Sequence, residues 1–258
     1  MAITDFRMDF FSVKGKNALV TGGNSGLGQA FSLALAKAGA NLFIPSIVPE
    51  EGETRSLLDK EGIKSEFMLM DLSKEGEPKN AVDTCVKKMG SVDILVNCAG
   101  ILKLGTIDQF DREKWDSMLS INLTAAYEMS RAASSYMIEQ KSGKIINICS
   151  MYSFIGYANS VAYAATKHGI AGLTKALCDE LGRYNIQVNG IAPGFFITRV
   201  TEQSRKIPGR VEWIEKHTPA GRWGNVEDLM GTMVYLASTA SDFVNGHILA
   251  VDGGFLVR

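Results

Sequence analysis

The stretch Thr21-Gly22-Gly23-Asn24-Ser25-Gly26-Leu27-Gly28 decides the fold of this chain. Residues 17–21 are mostly apolar, as in a short buried strand, and residues 28–38 have an apolar-rich helical pattern. A glycine-rich turn between a strand and a helix is a binding site for a pyrophosphate. The stretch therefore predicts a βαβ unit with a dinucleotide site, in which Gly22 permits the tight turn, Gly26 lets the backbone approach the phosphates and Gly28 allows close helix packing.

Strand and helix patterns alternate along the rest of the chain, which predicts a parallel sheet covered by helices. Strands are predicted at 42–44, 66–70, 92–96, 144–148, 187–191 and 248–251, and helices at 112–140, 160–184 and 226–237. We expect a single α/β domain of the Rossmann type over residues 13–258, with a doubly wound sheet of about seven strands. Residues 1–12 are expected to form an N-terminal extension that is either docked on a partner subunit or frayed.

The composition excludes several classes of protein. The chain has 258 residues, of which 46% are hydrophobic and 21% charged, and its formal net charge is −1. The charges are interspersed, so no basic stripe predicts a nucleic-acid partner. Asp5, Arg7 and Asp9 interrupt any signal-peptide core, and no apolar run is long enough to span a membrane, so the cytoplasm is the expected location. The three histidines are scattered, and no metal site is expected.

The four cysteines are Cys85, Cys98, Cys149 and Cys178, and none of them forms a CxxC motif. Cys98 and Cys149 lie beside motifs of the predicted site, so one of them is a candidate for a reactive thiol. The favoured interpretation is that all four are small buried hydrophobic side chains in a reducing compartment.

A second group of residues carries the chemistry. Tyr163 and Lys167 are four positions apart in a predicted helix and share one of its faces. A lysine ammonium beside a phenol favours the phenolate, so this pair can accept and return a proton. Ser150, at the end of a predicted strand, can reach the same point. With the dinucleotide site, these three side chains predict hydride transfer between an alcohol and a nicotinamide.

From Lys14 to Arg258 the chain resembles the short-chain dehydrogenase/reductases. The motifs that carry the resemblance are Thr21-Gly22-x-x-x-Gly26-x-Gly28, Asn97-x-Ala99-Gly100, Asn122, Ser150, Tyr163-x-x-x-Lys167 and Pro193-Gly194 followed by Thr198. Cys98 departs from the family, which often has Asn or Ala at this position. Within the family, segments 219–224, 228–231 and 240–246 look most similar to 2-deoxygluconate and 2-dehydro-3-deoxygluconate dehydrogenases, which in turn resemble bacterial hydroxysteroid dehydrogenases of the 20β type.

The resemblance implies a role for each catalytic residue. Tyr163 is the general acid in reduction and the general base in oxidation, and Ser150 orients the substrate carbonyl. Lys167 also binds the nicotinamide ribose, and Asn122 holds a water that relays protons from Lys167. The family also implies a homotetramer built from the C-terminal segment and the two long helices.

Cofactor-binding residues are expected along the carboxyl ends of the strands. Asp71 is expected to accept from an adenine amine, and Thr198 with the Ile197 backbone to hold the carboxamide. The full set of candidates is Gly22, Asn24, Ser25, Gly26, Leu27, Gly28, Ser46, Asp71, Leu72, Asn97, Ala99, Gly100, Tyr163, Lys167, Pro193, Gly194, Ile197 and Thr198.

The residues after the second predicted strand bear on the choice between NAD and NADP. An acid at this position favours NAD, and a basic residue favours NADP. The chain has Pro45-Ser46-Ile47-Val48, with neither, but Glu50 and Glu51 follow and would repel a 2′-phosphate. NAD(H) is therefore expected over NADP(H).

Three segments, 101–104, 151–157 and 195–196, are expected to line the substrate pocket. The candidates within them are Leu102, Tyr152, Tyr157, Phe195 and Phe196. A sugar acid requires a cation for its carboxylate, and these segments offer only Lys103, with Arg199 further along the chain. An aromatic and aliphatic pocket suits a bulky apolar ketone such as a ketosteroid, because apolar burial contributes about 25 cal/mol per Å².

A hydroxysteroid or other bulky ketone is accordingly ranked first, and a sugar acid such as 2-dehydro-3-deoxygluconate or gluconate second. The aromatic side chains have an alternative role, which is to pack beneath residues 198–219 without touching substrate. Those residues have weak periodicity and are expected to form a mobile insert over the site. A catalytically inactive cofactor-binding module is the remote third hypothesis, and the intact Ser150, Tyr163, Lys167 and Asn122 argue against it.

Overall fold

The computed structural model describes residues 7–198 and 201–257. Its strands are β1 (Asn17–Val20), β2 (Asn41–Ser46), β3 (Ser65–Leu69), β4 (Ile94–Asn97), β5 (Gly143–Ile148), β6 (Ile186–Pro193) and β7 (Ile248–Val251). They form one parallel sheet of seven strands in the order β3-β2-β1-β4-β5-β6-β7. The order reverses between β1 and β4, where open α/β sheets bind their ligands. The expected single-domain, doubly wound fold is confirmed.

The helices are α1 (Gly26–Lys37), α2 (Glu53–Asp59), α3 (Glu77–Met89), α4 (Arg112–Leu119), α5 (Ala125–Gln140), α6 (Val161–Leu181), α7 (Glu202–Arg205), α8 (Arg210–His217) and α9 (Glu227–Ala237). The helix predicted at 112–140 is α4 and α5 joined by a π-helical turn, Ser120–Thr124. The helix predicted at 160–184 ends as α6 at Leu181 and continues in a 3₁₀ turn, Gly182–Tyr184.

Burial on both faces explains the apolar strands at the centre of the sheet. Every residue of β1 and β4 is buried, as expected of central parallel strands. One face packs against α1 and α9, through Phe31 and Met233. The other packs against α3 and α5, through Val82 and Met129. The two cores hold the carboxyl ends of the strands in register along one edge, where the predicted site residues lie.

The segment expected to be a mobile insert is largely helical in its described part. It carries α7 and α8, and α8 is anchored by Ile214, which is fully buried. Arg199, a candidate cation, lies outside the described residues, as does the first half of the N-terminal extension, residues 1–6. Within the described ranges, no helix is both long and apolar enough to cross a membrane.

Candidate active site

The glycine-rich turn has the geometry of a phosphate cradle. Gly22 and Gly26 have φ values of +65° and +52°, which favour glycine, and a Cβ on Gly28 would lie 2.2 Å from the Gly22 carbonyl oxygen. Ser25 is the N-cap of α1, and its side chain makes no capping hydrogen bond. It therefore satisfies none of the first N–H groups of the helix. These N–H groups fit the pyrophosphate of a dinucleotide.

The ends of β1 and β4 are tied together beside this turn. The Thr21 hydroxyl oxygen accepts from the backbone N–H groups of Cys98 and Ala99, each at 2.9 Å. Asn97 donates to the side chains of Asn147 and Ser130 at 2.8 and 3.0 Å. These contacts place the Asn97-x-Ala99-Gly100 motif at the switch point of the sheet, where a nicotinamide cofactor fits.

The loop after β2 is held by hydrogen bonds of its own. The Asn24 amide donates to the Val48 carbonyl oxygen at 2.8 Å, and the buried Ser46 hydroxyl accepts from the Val48 N–H. Glu50 Oε1 accepts from the backbone N–H groups of Gly52 and Arg55 at 2.8 and 3.2 Å. These hydrogen bonds fix the Glu50 side chain within its loop, and the exposed Glu51 follows it.

Two predicted cofactor residues follow β3. The Asp71 carboxylate accepts from the hydroxyl and the backbone N–H of Ser73, and these hydrogen bonds hold the pKa of Asp71 below its ordinary value. Asp71 is therefore an ionised acceptor at neutral pH, as contact with an adenine amine requires. Leu72 is buried in the core beside it.

The segment after β6 carries the predicted carboxamide contacts. Pro193 ends β6, and a Cβ on Gly194 would lie 2.7 Å from Asp252 Cα. The Ile197 N–H donates to the Gly224 carbonyl oxygen at 2.9 Å. The Ile197 N–H is thereby occupied, which leaves the Ile197 carbonyl and the Thr198 hydroxyl as the groups suited to a carboxamide.

Asn122 lies in the π-helical turn between α4 and α5, a distortion that is frequent at functional sites. Its Oδ1 accepts from the Ile101 N–H at 2.8 Å, and its Nδ2 donates to the Ile101 carbonyl at 2.9 Å. Asn122 therefore fastens the segment that follows Gly100 to the α4–α5 junction. Its role in a proton relay stays a prediction.

The acid/base group is assembled from β5 and α6. Lys167 is buried, and its Nζ donates to the Ile148 carbonyl at 2.7 Å and lies 5.6 Å from the centre of the Tyr163 ring. The Ser153 hydroxyl donates to the Lys167 carbonyl at 2.7 Å, which ties the turn after Ser150 to α6. The Ser150 hydroxyl accepts from the Tyr152 N–H and caps that turn. This arrangement can hold a proton on the Tyr163 oxygen beside a fixed positive charge.

The thiolate forms of the two cysteines near this group, the partly buried Cys98 and the buried Cys149, are disfavoured. Burial raises the pKa of Cys98 to about 12 and that of Cys149 to about 11, and in each case the smaller effect of the Lys167 charge opposes it. At neutral pH both thiols are protonated, which supports the interpretation of these cysteines as structural.

The aromatic residues of the predicted pocket fall into two groups. Tyr152 lies edge-on to Tyr163, with ring centres 5.5 Å apart, and Tyr157 lies 6.3 Å from Tyr152. Phe195 instead packs against other rings, with Trp223 at 5.6 Å and Phe255 at 5.2 Å.

Phe196 does not support the role predicted for it as an open pocket wall. It is 5% exposed and forms part of the core, and its ring fills the space where Gly224 has no side chain. The apolar surface expected for a steroid is thus partly used for packing within the chain.

Arg210, which the sequence analysis missed, begins α8 beside these rings. Its guanidinium carbon lies 5.6 Å from the centre of the Tyr157 ring and 5.9 Å from that of Phe195. The local signal was the order Pro208-Gly209-Arg210, since Gly209 is the N-cap of α8 with a φ of +73°. The expected cation, Lys103, instead donates to the Ser117 hydroxyl of α4 at 2.8 Å.

Comparisons with known proteins identify the family of this chain. A profile of the short chain dehydrogenase family matches residues 16–208. An uncharacterized oxidoreductase of Escherichia coli (strain K12), YgcW, is 57% identical over 100% of this chain and 98% of its own. A 2-dehydro-3-deoxy-D-gluconate 5-dehydrogenase of Bacillus subtilis (strain 168) is 44% identical, over 97% and 98%. A gluconate 5-dehydrogenase of Burkholderia cenocepacia J2315, solved in complex with NADP and tartrate, is 38% identical with a TM-score of 0.92, over 97% and 98%.

Proposed function

Because the chain belongs to the short-chain dehydrogenase family, we propose that it interconverts a secondary alcohol and a ketone on a sugar acid of the gluconate class, with C5 as the reacting carbon. Membership makes it an NAD(P)-dependent oxidoreductase that acts on alcohol groups. The observation that carries the proposed substrate is the near-full-length similarity to two enzymes named for position 5 of gluconate or of its 2-dehydro-3-deoxy derivative. The sugar acid, ranked second on sequence grounds, is thereby favoured over the ketosteroid.

The packing of the aromatic residues also favours a sugar acid over a ketosteroid as the substrate. The ketosteroid was favoured because the pocket segments are aromatic, yet Phe196 is buried in the core and Phe195 packs on Trp223 and Phe255. A sugar acid needs hydrogen-bond donors and a cation. The Tyr152 and Tyr157 side chains carry hydroxyls, and Arg210 supplies a positive charge against Tyr157.

The proposed mechanism assigns the proton to Tyr163. In reduction the Tyr163 hydroxyl donates its proton to the substrate carbonyl oxygen, and in oxidation the phenolate removes it from the alcohol. Lys167 stabilises the phenolate through its charge, and the Ser150 hydroxyl donates to the same substrate oxygen and orients it. When bound, the nicotinamide supplies the hydride in reduction and accepts it in oxidation.

For the cofactor we propose NADP(H) in place of the NAD(H) expected from sequence. A related gluconate 5-dehydrogenase was solved with NADP. The β2 end presents the Ser46 hydroxyl and no acid, and Glu50 is engaged by Gly52 and Arg55 within its own loop. The position directly after β2, where an acid would favour NAD, holds Ile47.

The test of the catalytic assignment is Tyr163→Phe. Loss of the proton donor is expected to lower kcat by about 10²- to 10⁴-fold while NADPH binding, measured by fluorescence titration, stays unchanged. Tyr136→Phe is the matched control, since it removes a tyrosine hydroxyl that donates to Asp83 outside the site. Near-native turnover by Tyr163→Phe would rule the assignment out.

The substrate is tested with nicotinamide absorbance, using 5-keto-D-gluconate and a C-20 ketosteroid side by side, each with NADPH and with NADH. We expect turnover of the sugar acid and a lower KM for NADPH. Turnover of the steroid alone would show that the ketosteroid, ranked first from the sequence, is the substrate. A lower KM for NADH than for NADPH would show that NAD(H), as the sequence predicted, is the cofactor.

A further inference from the structure

We propose that Arg210 binds the carboxylate of the substrate and thereby sets the preference of this enzyme for sugar acids. The inference rests on the proposed function. It concerns the residue that binds the carboxylate of that substrate, away from the reacting carbon. It is based on the Arg210 guanidinium, which has no acidic partner among the described residues. This guanidinium lies beside Tyr157, whose ring adjoins Tyr152 and, through it, Tyr163.

Arg210 is fixed by aromatic rings on several sides. Its guanidinium carbon lies 5.6 Å from the centre of the Tyr157 ring, 5.9 Å from that of Phe195 and 5.8 Å from that of Trp213. Its Nη1 lies 3.5 Å from the Tyr157 hydroxyl. Cation–π contacts and this long Nη1 hydrogen bond to Tyr157 hold the side chain in place, and Nη2 is the terminal nitrogen without a hydrogen bond to the described residues.

The charge of Arg210 has no counterion in the described part of the chain. The ion pairs formed there use other residues, and Arg222, the nearby arginine that does have an acid, pairs with Asp228 at 2.7 Å. The Nε of Arg210 is buried without a hydrogen-bond partner. A bound carboxylate would compensate the charge of Arg210 through its terminal nitrogens, since Nε itself is closed off from solvent.

Arg210 lies at the end of a row of tyrosines that begins at Tyr163. The rings of Tyr163, Tyr152 and Tyr157 follow one another in edge-on contacts, and the Arg210 guanidinium lies over the Tyr157 ring. The positive charge of Arg210 reaches Tyr152, where it opposes the effect of burial, which raises the pKa of that phenol. In a 5-ketohexonate the reacting carbonyl and the carboxylate lie several bonds apart, and the proposal places the carbonyl at Tyr163 and the carboxylate toward Arg210.

Two other cations in the described part of the chain near the site, Lys103 and Arg205, already donate to neighbouring groups. Lys103 donates to the Ser117 hydroxyl on α4. Arg205 donates to the Thr198 carbonyl oxygen at 3.4 Å, on the side predicted to hold the carboxamide. Arg210 therefore fits the carboxylate better than either of these residues.

The test compares Arg210→Gln, Arg210→Lys and the control Lys103→Gln with the wild-type enzyme. The substrates are 5-keto-D-gluconate and 5-keto-D-fructose, a neutral hexulose with a ketone at the same carbon. Arg210→Gln is expected to raise KM for 5-keto-D-gluconate by about 10- to 100-fold, because a charge-assisted hydrogen bond is lost. Its kcat/KM for 5-keto-D-fructose and its Kd for NADPH stay within about threefold of wild type, and Arg210→Lys regains part of the loss.

Each outcome bears on one of the two proposals. An unchanged KM for 5-keto-D-gluconate in Arg210→Gln, or a comparable increase in Lys103→Gln, overturns the role of Arg210 while the proposed function stands. Equal loss on the charged and neutral substrates also overturns it, because the side chain then acts only through packing. A wild-type enzyme that reduces neither 5-keto-D-gluconate nor 2-dehydro-3-deoxygluconate derivatives overturns the proposed function, and the role of Arg210 with it.

Discussion

Among single residues, burial and hydrogen-bond partners distinguish the polar groups of the site. Lys167 is buried, its Nζ donates to the Ile148 carbonyl, and it lies 5.6 Å from the centre of the Tyr163 ring. Glu50 and Lys103, which the sequence suggested as charges that tune the site, are each hydrogen-bonded to neighbouring groups. Tyr163 and Lys167 are therefore the pair proposed for proton transfer, with Ser150 orienting the substrate.

The thiols provide a prediction with a defined pH dependence. Burial raises the pKa of Cys98 to about 12, so on the order of one molecule in 10⁴ carries the thiolate at pH 8. We expect DTNB and iodoacetamide to leave Cys98 and Cys149 unmodified in the folded enzyme from pH 6 to 9, with activity unchanged. Because both pKa values are raised, reactivity should increase only as the pH approaches about 11, the value for Cys149.

Unfolding in guanidinium is the control for this measurement, since it should make all four thiols titrate at once. Rapid stoichiometric modification of Cys98 at pH 7, with loss of activity, would instead show that Cys98 is a reactive thiol.

Among elements, the important feature is the start of α1. The turn before it depends on left-handed backbone at Gly22 and Gly26, and on the missing side chain of Gly28. The N-cap Ser25 leaves the first turn of the helix without a side-chain acceptor. A helix N-terminus whose first N–H groups have no side-chain acceptor is preorganised to bind an anion.

Gly28→Ala tests this element. A Cβ there would lie 2.2 Å from the Gly22 carbonyl oxygen, so the turn must shift, and we expect the Kd for NADPH to rise at least about tenfold. Gly231→Ala in α9 is the matched control, because a Cβ at Gly231 meets nothing within 4 Å. Isothermal titration calorimetry measures the Kd for NADPH of both variants. An unchanged Kd in Gly28→Ala would contradict the assignment of this turn as a phosphate cradle.

For the whole molecule, we propose the homotetramer that the family resemblance implies. Large apolar side chains are exposed on the elements expected to form its interfaces, among them Tyr127 on α5, Val161 on α6 and Val257 in the C-terminal segment. Light scattering at micromolar concentration is expected to give about 112 kDa, four times 28.0 kDa. A mass of 28.0 kDa would refute this assembly.

The described part of the N-terminal extension packs on its own chain, an arrangement that the sequence analysis did not consider. The Thr239 hydroxyl donates to the Phe10 carbonyl at 3.0 Å, and the rings of Phe11 and Tyr235 lie 6.4 Å apart. We propose that residues 1–12 are an extension that stabilises the domain formed by 13–258.

Deletion of residues 1–11 is expected to lower Tm by a few degrees, since about 1 kcal/mol corresponds to about 2–4 °C at this chain length. Turnover at 25 °C should be unchanged, because these contacts lie on α9 and the turn after it. Differential scanning fluorimetry measures the shift, and an unaltered Tm would mean that the extension contributes nothing to stability.

Features that depend on a few neighbouring residues could be predicted from the sequence. The turn from Gly22 to Gly28 and the shared face of Tyr163 and Lys167 follow from local backbone geometry and helical periodicity. The alternation of strands and helices likewise predicts the parallel sheet, and a parallel sheet places the strand ends along one edge. By itself, the sequence therefore determined the fold, the family and the location of the dinucleotide site.

Only the tertiary structure decided how side chains from distant segments meet. It buries Phe196 against Gly224, turns Glu50 into its own loop and brings Arg210 of α8 against Tyr157. These positions depend on packing between segments that are far apart in the chain, and no local pattern encodes the direction of such a side chain. The surroundings of the predicted pocket segments, which are aromatic in sequence but have the Arg210 cation beside Tyr157 in space, were decided at this level for that reason.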